Sequence, residues 1–242
     1  MSKLGQLSMM LGLLSLLLVA AMMSGLIRSE RWTISNLEVS AEYQRVSAEQ
    51  IRTTIANSTE RSFFRLNTTQ IQKQLMDIPW VRKAQVSKRW PDTLKVKVWE
   101  HQAVAVWNEE TLLNESGEIF QVHAIDSMRY LPLLVGPQEN AQQMLSDYQR
   151  LNQLLVPTGV EIARADMSER GGWVLVLRNG LEVVLGSEKM DARLLRFADT
   201  WGELLKQSGR LPESVDLRYT NGYVVRWREQ QIPVDIEGEV VS

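Results

Sequence analysis

Hydrophobic positions recur along the chain in several rhythms, and each predicts a different kind of element. Residues 4–27 form 24 consecutive positions without a charge, dense in Leu, Met, Ala and Val, between Lys3 and Arg28. At about 1.5 Å per residue such a run crosses a hydrocarbon layer roughly 30 Å thick with some tilt, so it predicts a transmembrane helix. A cleaved signal peptide is the rival reading, because Ala20, Ala21, Ser24 and Gly25 are small residues of the kind found near processing sites. The run lacks a clean A-x-A site and exceeds the about 7–15 apolar residues of a signal peptide, which favours an uncleaved anchor. Flanking charge does not orient it, with Lys3 on one side and Arg28 and Arg31 on the other. Large domains translocate largely regardless of charge, so residues 1–3 are expected in the cytoplasm and the bulk of the chain outside it.

From residue 32 to residue 100 the rhythm alternates between strand and helix. Residues 32–39 read as a short strand carrying Ile34, Leu37 and Val39, with turn-prone Ser35-Asn36 loosening the alternation. Ser47 followed by Gln50 is a capping-box pattern that opens a helix through Ala56. After a loop with Phe63, Phe64 and Leu66, Asn67 or Thr68 caps a second helix carrying Ile71, Leu75 and Met76, which Pro79 ends. Val81, Ala84 and Val86 then lead through Trp90-Pro91-Asp92 to Leu94, Val96 and Val98, which alternate with Lys95, Lys97 and Trp99. The order β-α-α-β-β predicts a three-stranded sheet covered on one side by two helices.

Residues 101–227 predict a second, mixed-strand β domain with two helices, making the chain α+β. Residues 103–107, 111–113 and 119–120 read as strands with a turn at 114–117, and residues 131–137 close this part. Asn140 and Gln143 predict a capped helix with Met144, Leu145, Tyr148, Leu151 and Leu155 at helical spacing. Strands at 160–165, 173–177 and 181–185 are separated by Gly171-Gly172 and by Asn179-Gly180, a two-residue hairpin signal. A helix over 190–206 carries Leu194, Phe197, Ala198, Trp201 and Leu205. Val215, Leu217 and Tyr219 then alternate with Asp216 and Arg218, Asn221-Gly222 predicts another tight turn, and Tyr223, Val225 and Trp227 alternate with Val224 and Arg226. No strand signal follows, so this last strand is expected at a sheet edge with unpaired backbone groups, a template for β-augmentation. Residues 228–242, with Pro233, Asp235, Glu237 and Glu239, read as a mobile tail.

Composition narrows the function classes. A net charge of −2, with no Lys/Arg-rich run, lacks the electrostatic footprint for holding a phosphate backbone, which argues against nucleic acid as a partner. The absence of cysteine removes disulfides, thiolate metal sites and cysteine nucleophiles together. The two histidines, His101 and His123, lie in no H-E-x-x-H, G-x-S-x-G or P-loop pattern, and Glu109-Glu110 reads as a solvated turn. Nothing points to catalytic residues, a metal, a cofactor or a small-molecule substrate, and the expectation is a protein-binding scaffold rather than an enzyme.

The helix pair, Phe63 to Leu66 and the stretch Pro79-Trp80-Val81 to Arg89-Trp90-Pro91 and Leu94-Lys95-Val96 resemble the POTRA domain, a module of transient protein binding. Packing and solvation alone also account for Trp80 and for Lys83, Lys88, Lys95 and Lys97. With residues 105–108, 131–137, 193–197 (RLLRF) and 215–219, the whole arrangement resembles the FtsQ/DivIB family of bacterial cell-division proteins. The resemblance implies an essential single-pass type II protein of the inner membrane. Its C-terminal part would be periplasmic, at the division septum, linking upstream and downstream division proteins. It implies FtsB and FtsL as partners of the β domain and upstream proteins such as FtsK as partners of the POTRA domain. It also carries over contacts to Arg218 and Tyr219, to the edge strand with Gly222, Tyr223, Val225 and Trp227, and to Arg170, which would receive an acidic partner residue. The plain alternatives are a solvated hairpin charge for Arg170 and half-buried strand packing for Tyr219. A POTRA-containing accessory of secretion or outer-membrane assembly is the other functional reading; it predicts a C-terminal barrel or repeated POTRA modules.

Overall fold

The computed structural model describes residues 3–23, 34–41, 44–59, 63, 66–123, 125–208 and 212–228, and its contacts divide the chain into two units, Met1–His101 and Gln102–Ser242. In the first unit a helix, α1, runs Lys3–Met23, and its side chains from Met9 to Ala20 are all exposed. Among the described residues no helix is long and apolar enough to cross a membrane. Residues 24–27 of the expected anchor, Phe64 of the expected loop and residues 229–242 of the expected tail lie outside the described residues.

The remainder of the first unit is β1 (Asn36–Ser40), α2 (Ala48–Thr59), α3 (Thr68–Met76), β2 (Val81–Arg89) and β3 (Thr93–Glu100). The sheet order is β1-β3-β2, with β1 parallel and β2 antiparallel to the central β3. Alternation along β3 buries Leu94, Val96 and Val98 and leaves Lys95 and Lys97 exposed, so one face packs against Ile51, Ile55, Ile71 and Leu75 of the helices. The caps form as the sequence predicts: Ser47 Oγ accepts the Gln50 N–H at 3.0 Å, and Asn67 Oδ1 accepts those of Thr69 and Gln70 at 3.0 and 3.2 Å. Glu100 is buried, and its carboxylate accepts the N–H groups of Arg45 and Val46 at 2.9 and 3.0 Å, fastening the entry to α2. Of the strand expected over residues 32–39, residues 32–33 lie outside the described residues, Ile34 and Ser35 precede the ladder, and Asn36 opens it opposite Thr93, with the N–H groups of Ser35 and Asn36 both donating to the Asp92 carbonyl of the β2–β3 turn.

The second unit contains β4 (Ala103–Trp107), β5 (Thr111–Asn114), β6 (Ile119–Phe120), β7 (Leu133–Val135), α4 (Ala141–Leu155), β8 (Ile162–Met167), β9 (Trp173–Leu177), β10 (Glu182–Gly186), α5 (Met190–Ser208), β11 (Pro212–Asp216) and β12 (Val224–Trp227). They form one nine-stranded sheet in the order β12-β11-β10-β9-β8-β7-β4-β5-β6. The two helices sit where neighbouring strands are parallel, α4 between β7 and β8 and α5 between β10 and β11, because a parallel pair needs a crossover. α4 and α5 pack on each other and on the sheet, burying Leu151, Leu194 and Phe197 against Trp173, Leu175, Val183 and Leu185.

Two turn expectations are corrected here. Asn140 makes no side-chain cap bond: it closes a short 3-10 turn, Gln138–Asn140, at φ −98° and ψ 3°, outside the extended conformation that aims a cap oxygen at the helix. Asn179-Gly180 is not a two-residue hairpin. Leu177 N–H donates to the Leu181 carbonyl across a three-residue loop in which Gly180, at φ +83°, takes the left-handed position and Asn179 Oδ1 accepts the Leu181 N–H.

Candidate functional site: an open sheet edge and its flanking loop

β12 ends the nine-stranded sheet, pairing with β11 on one side only, so its other backbone edge has no strand against it among the described residues. Along it Val224 and Arg226 are exposed and Val225 and Trp227 half-buried. Tyr223, just ahead of the strand, and Val225 pack against the main core. The Tyr223 ring meets Phe197 edge-on, with centroids 6.1 Å apart, and its hydroxyl lies 2.6 Å from Thr200 Oγ1 on α5. The edge is therefore fixed from within and open from without.

The connection into β12 departs from expectation. β11 stops at Asp216 instead of continuing through Tyr219, and residues 217–223 form a seven-residue loop in place of a tight Asn221-Gly222 turn. Leu217 stays buried and donates its N–H to the Val184 carbonyl at 2.8 Å. Arg218 folds back on Asp216, whose carboxylate accepts its N–H at 3.0 Å and its Nε and Nη2 at 2.9 and 2.6 Å. Arg196 on α5 donates to the carbonyls of Tyr219, Thr220 and Gly222 at 3.0, 2.8 and 3.0 Å. Arg193, one turn earlier, donates to the carbonyls of Leu185 and Arg218 at 2.9 and 3.1 Å. Hydrogen bonds from charged donors are about twice as strong as neutral ones, and together they override the local turn preference of Asn-Gly. Tyr219 is left 55% exposed at the loop surface.

The arginine pair also sets the local electrostatics. Hydrogen bonds from Arg218 hold the Asp216 carboxyl below its ordinary value, with a smaller contribution from the charge of Arg193, and Asp216 in turn raises the Arg218 guanidinium. The stem of Arg218 lies over Gly186, where φ is +76° and a Cβ would come 3.2 Å from Arg218 Cγ and 3.0 Å from Arg193 Nη1.

Arg170 sits in the turn between β8 and β9, which Gly171 N–H closes onto the Ser168 carbonyl at 2.8 Å and Gly172 N–H onto Ser168 Oγ at 3.0 Å. The arginine is exposed, and none of the described residues pairs with it. Strand register fixes its place. Met167 opposes Trp173, Trp173 opposes Gly186, Val184 lies beside Asp216, and Asp216 opposes Val224. The 168–172 turn and the 217–223 loop thus share one end of the sheet. β9 and β12 are three strand spacings apart, about 14 Å. The structure brings Arg170, Arg218, Tyr219, Gly222 and Tyr223 to that end, while Val225 and Trp227 run away from it along β12.

Comparison with known proteins places this arrangement. Residues 32–101 match the family model "POTRA domain, FtsQ-type", and residues 105–218 match "Cell division protein FtsQ/DivIB, C-terminal". The chain is 37% identical over 210 residues to Cell division protein FtsQ of Xanthomonas campestris pv. campestris, covering 87% of this chain and 75% of that one. The chain belongs to the FtsQ/DivIB family. Its FtsQ relatives include that of Shewanella oneidensis, 33% identical over 82% of this chain and 75% of the relative, and that of Coxiella burnetii, 27% identical over 89% and 90%. The second unit is an open nine-stranded sheet matching the FtsQ/DivIB C-terminal model, not the barrel or repeated module that the secretion-accessory reading predicts.

Sequence reading found RLLRF as a mark of the FtsQ/DivIB family but assigned no role to its arginines, nor to Thr200. A signal was present. Arg193 and Arg196 stand three apart on one helix face, where like charges repel, and each directly precedes a core residue, Leu194 and Phe197. Such a pair implies acceptors from outside the helix.

Proposed function

We propose that this FtsQ/DivIB protein is a division scaffold, not an enzyme, which receives the periplasmic segment of FtsB, within an FtsB–FtsL pair, as an added strand on β12. The observation that carries the reading is the position of β12 at the end of the sheet, with one backbone edge unpaired among the described residues, near an exposed Tyr219. β-augmentation draws affinity from main-chain hydrogen bonds and specificity from flanking side chains. Tyr and Arg are typical interface anchors, which suits Tyr219, Arg218 and Arg170 to that second task. The POTRA unit is assigned to upstream division proteins such as FtsK. The uncharged run over residues 4–27 supports an inner-membrane anchor with the two units in the periplasm at the septum.

Crosslinkers placed singly over residues 215–227 in cells test the docking reading directly. FtsB trapped at alternate positions of β12 and at Tyr219 is the expected result; trapping that avoids this stretch overturns it. In pull-downs, Tyr219→Ala and Arg218→Glu are expected to lose FtsB while remaining folded.

A further inference from the structure

We propose that Arg196 is a positioning residue that prepares the receiving edge, turning the main chain of the 217–223 loop so that its N–H groups face an incoming acceptor. The inference rests on the edge-docking reading and adds to it the residue that makes the edge ready before a partner arrives.

The argument begins with peptide geometry. In a planar trans peptide the C=O and the following N–H point in opposite directions, and the Trp90–Pro91 bond is the cis one recorded among the described residues. Arg196 draws the carbonyls of Tyr219, Thr220 and Gly222 toward α5, and Arg193 draws that of Arg218. The N–H groups of Tyr219, Thr220, Asn221 and Tyr223 are therefore aimed away from α5. Those of Tyr219, Thr220 and Asn221 have no acceptor among the described residues, and all three residues are exposed. They lie between Arg218 and the start of β12 in the chain. The complementary partner is an extended segment rich in carbonyl and carboxylate acceptors.

The local chemistry selects arginine. Arg196 is half-buried, and its Nε is shielded from solvent with no hydrogen-bond partner, so the side chain gives up one donor's hydration to hold the position. A planar fork serves three carbonyls at once from its two Nη groups. A lysine ammonium, a compact charge on a flexible stem, would satisfy fewer of them and hold the loop less rigidly. A loop that visits the receptive conformation only part of the time binds more weakly in proportion to that fraction.

The test uses the full chain in detergent micelles, as wild type, Arg196→Lys, Arg196→Met and the neighbouring control Leu195→Ala. Amide exchange is read over residues 217–227 and over β9 and β10, together with thermal melting and titration with a synthetic periplasmic segment of FtsB. Arg196→Met is expected to lower the melting temperature modestly, to speed exchange at Leu217 and Arg218 well beyond any rise in β9 and β10, and to weaken the segment by about tenfold or more. Arg196→Lys should fall between, recovering part of both effects, and Leu195→Ala should match wild type. Unchanged exchange in the loop overturns the inference, and so does wild-type affinity in Arg196→Met. Exchange rising equally through β9 and β10 also overturns it, because it would make Arg196 a purely structural residue. If wild type itself ignores the FtsB segment, the docking reading fails, and the exchange pattern alone decides whether Arg196 positions the loop.

Discussion

The hydroxyls of Thr200 and Tyr223 lie 2.6 Å apart, joining the middle of α5 to the entrance of the edge strand across 23 residues of sequence. Thr200 Oγ1 also reaches the carbonyls of Arg196 and Phe197 at 2.9 and 3.2 Å. Removing the tyrosine hydroxyl therefore leaves Thr200 with a partner. Tyr223→Phe keeps the edge-on contact with Phe197 and is expected to cost about 1 kcal/mol, the ordinary net worth of one hydrogen bond. Urea unfolding of the two proteins measures it. Tyr223→Ala, which also empties the ring's place against Phe197, should cost more.

How far this was legible in the sequence depends on the distance over which each choice is made. Trp173, Leu175 and Leu177 alternate within five residues, and β9 was readable as a strand with both ends correct. The apolar stripe of Leu194, Phe197 and Trp201 likewise revealed α5 and its buried face. The loop before β12 was not readable, because its shape is set by Arg196, which lies 23 to 26 residues away from the carbonyls it holds. Asn221-Gly222 carries a strong local turn preference, and three charge-assisted bonds from a distant helix outweigh it. Sheet order escaped for the same reason. Nothing local in residues 103–107 says that β4 lies beside β7 instead of ending the sheet. Arg170 and Tyr219 were found through family resemblance, whereas their shared sheet end follows only from the strand register.

Gly186 is a second place where the edge loop meets the sheet. Its φ of +76° is a conformation that a side chain makes costly, and an added Cβ would press on Arg193 Nη1 and on the Arg218 stem. Gly186→Ala is expected to destabilise the protein by about 1–2 kcal/mol from the backbone alone. It should also disturb the Arg193–Arg218 contact, so a loss of FtsB binding larger than that of a variant equally destabilised in the distant α4 is the expected pattern. Matched losses would show that Gly186 matters only for folding.

Acid should loosen the loop in a defined direction. Asp216 ordinarily titrates near 3.8, and its hydrogen bonds from Arg218 lower that value in the folded protein. A depressed carboxyl contributes stability that is present above the unfolded value and is lost as pH falls through the folded one. The expected difference in urea midpoint between wild type and Asp216→Asn is therefore full near neutral pH and shrinks below about pH 4. It should be small throughout, because the Arg218 side of the pair is largely open to solvent. A gap that persists unchanged at pH 3 would mean that the aspartate acts through its shape and not its charge.

Arg170 gives the sharpest test of whether charge at this end of the sheet recognises a partner. Its exposed position and the absence of a partner for it among the described residues mean that Arg170→Glu should leave folding stability unchanged within about 0.5 kcal/mol. Binding is another matter. A guanidinium without an internal partner is available for a bidentate bond to a carboxylate, and reversing its sign replaces attraction with repulsion. The FtsB segment is expected to bind Arg170→Glu more weakly, and a segment with one acidic residue changed to lysine should recover part of the loss. Recovery at a single acidic position would identify the residue that faces Arg170 and fix the register of the incoming strand. Additive losses with no recovery at any position would leave Arg170 a solvated turn charge, and the edge strand and its loop would then carry recognition alone.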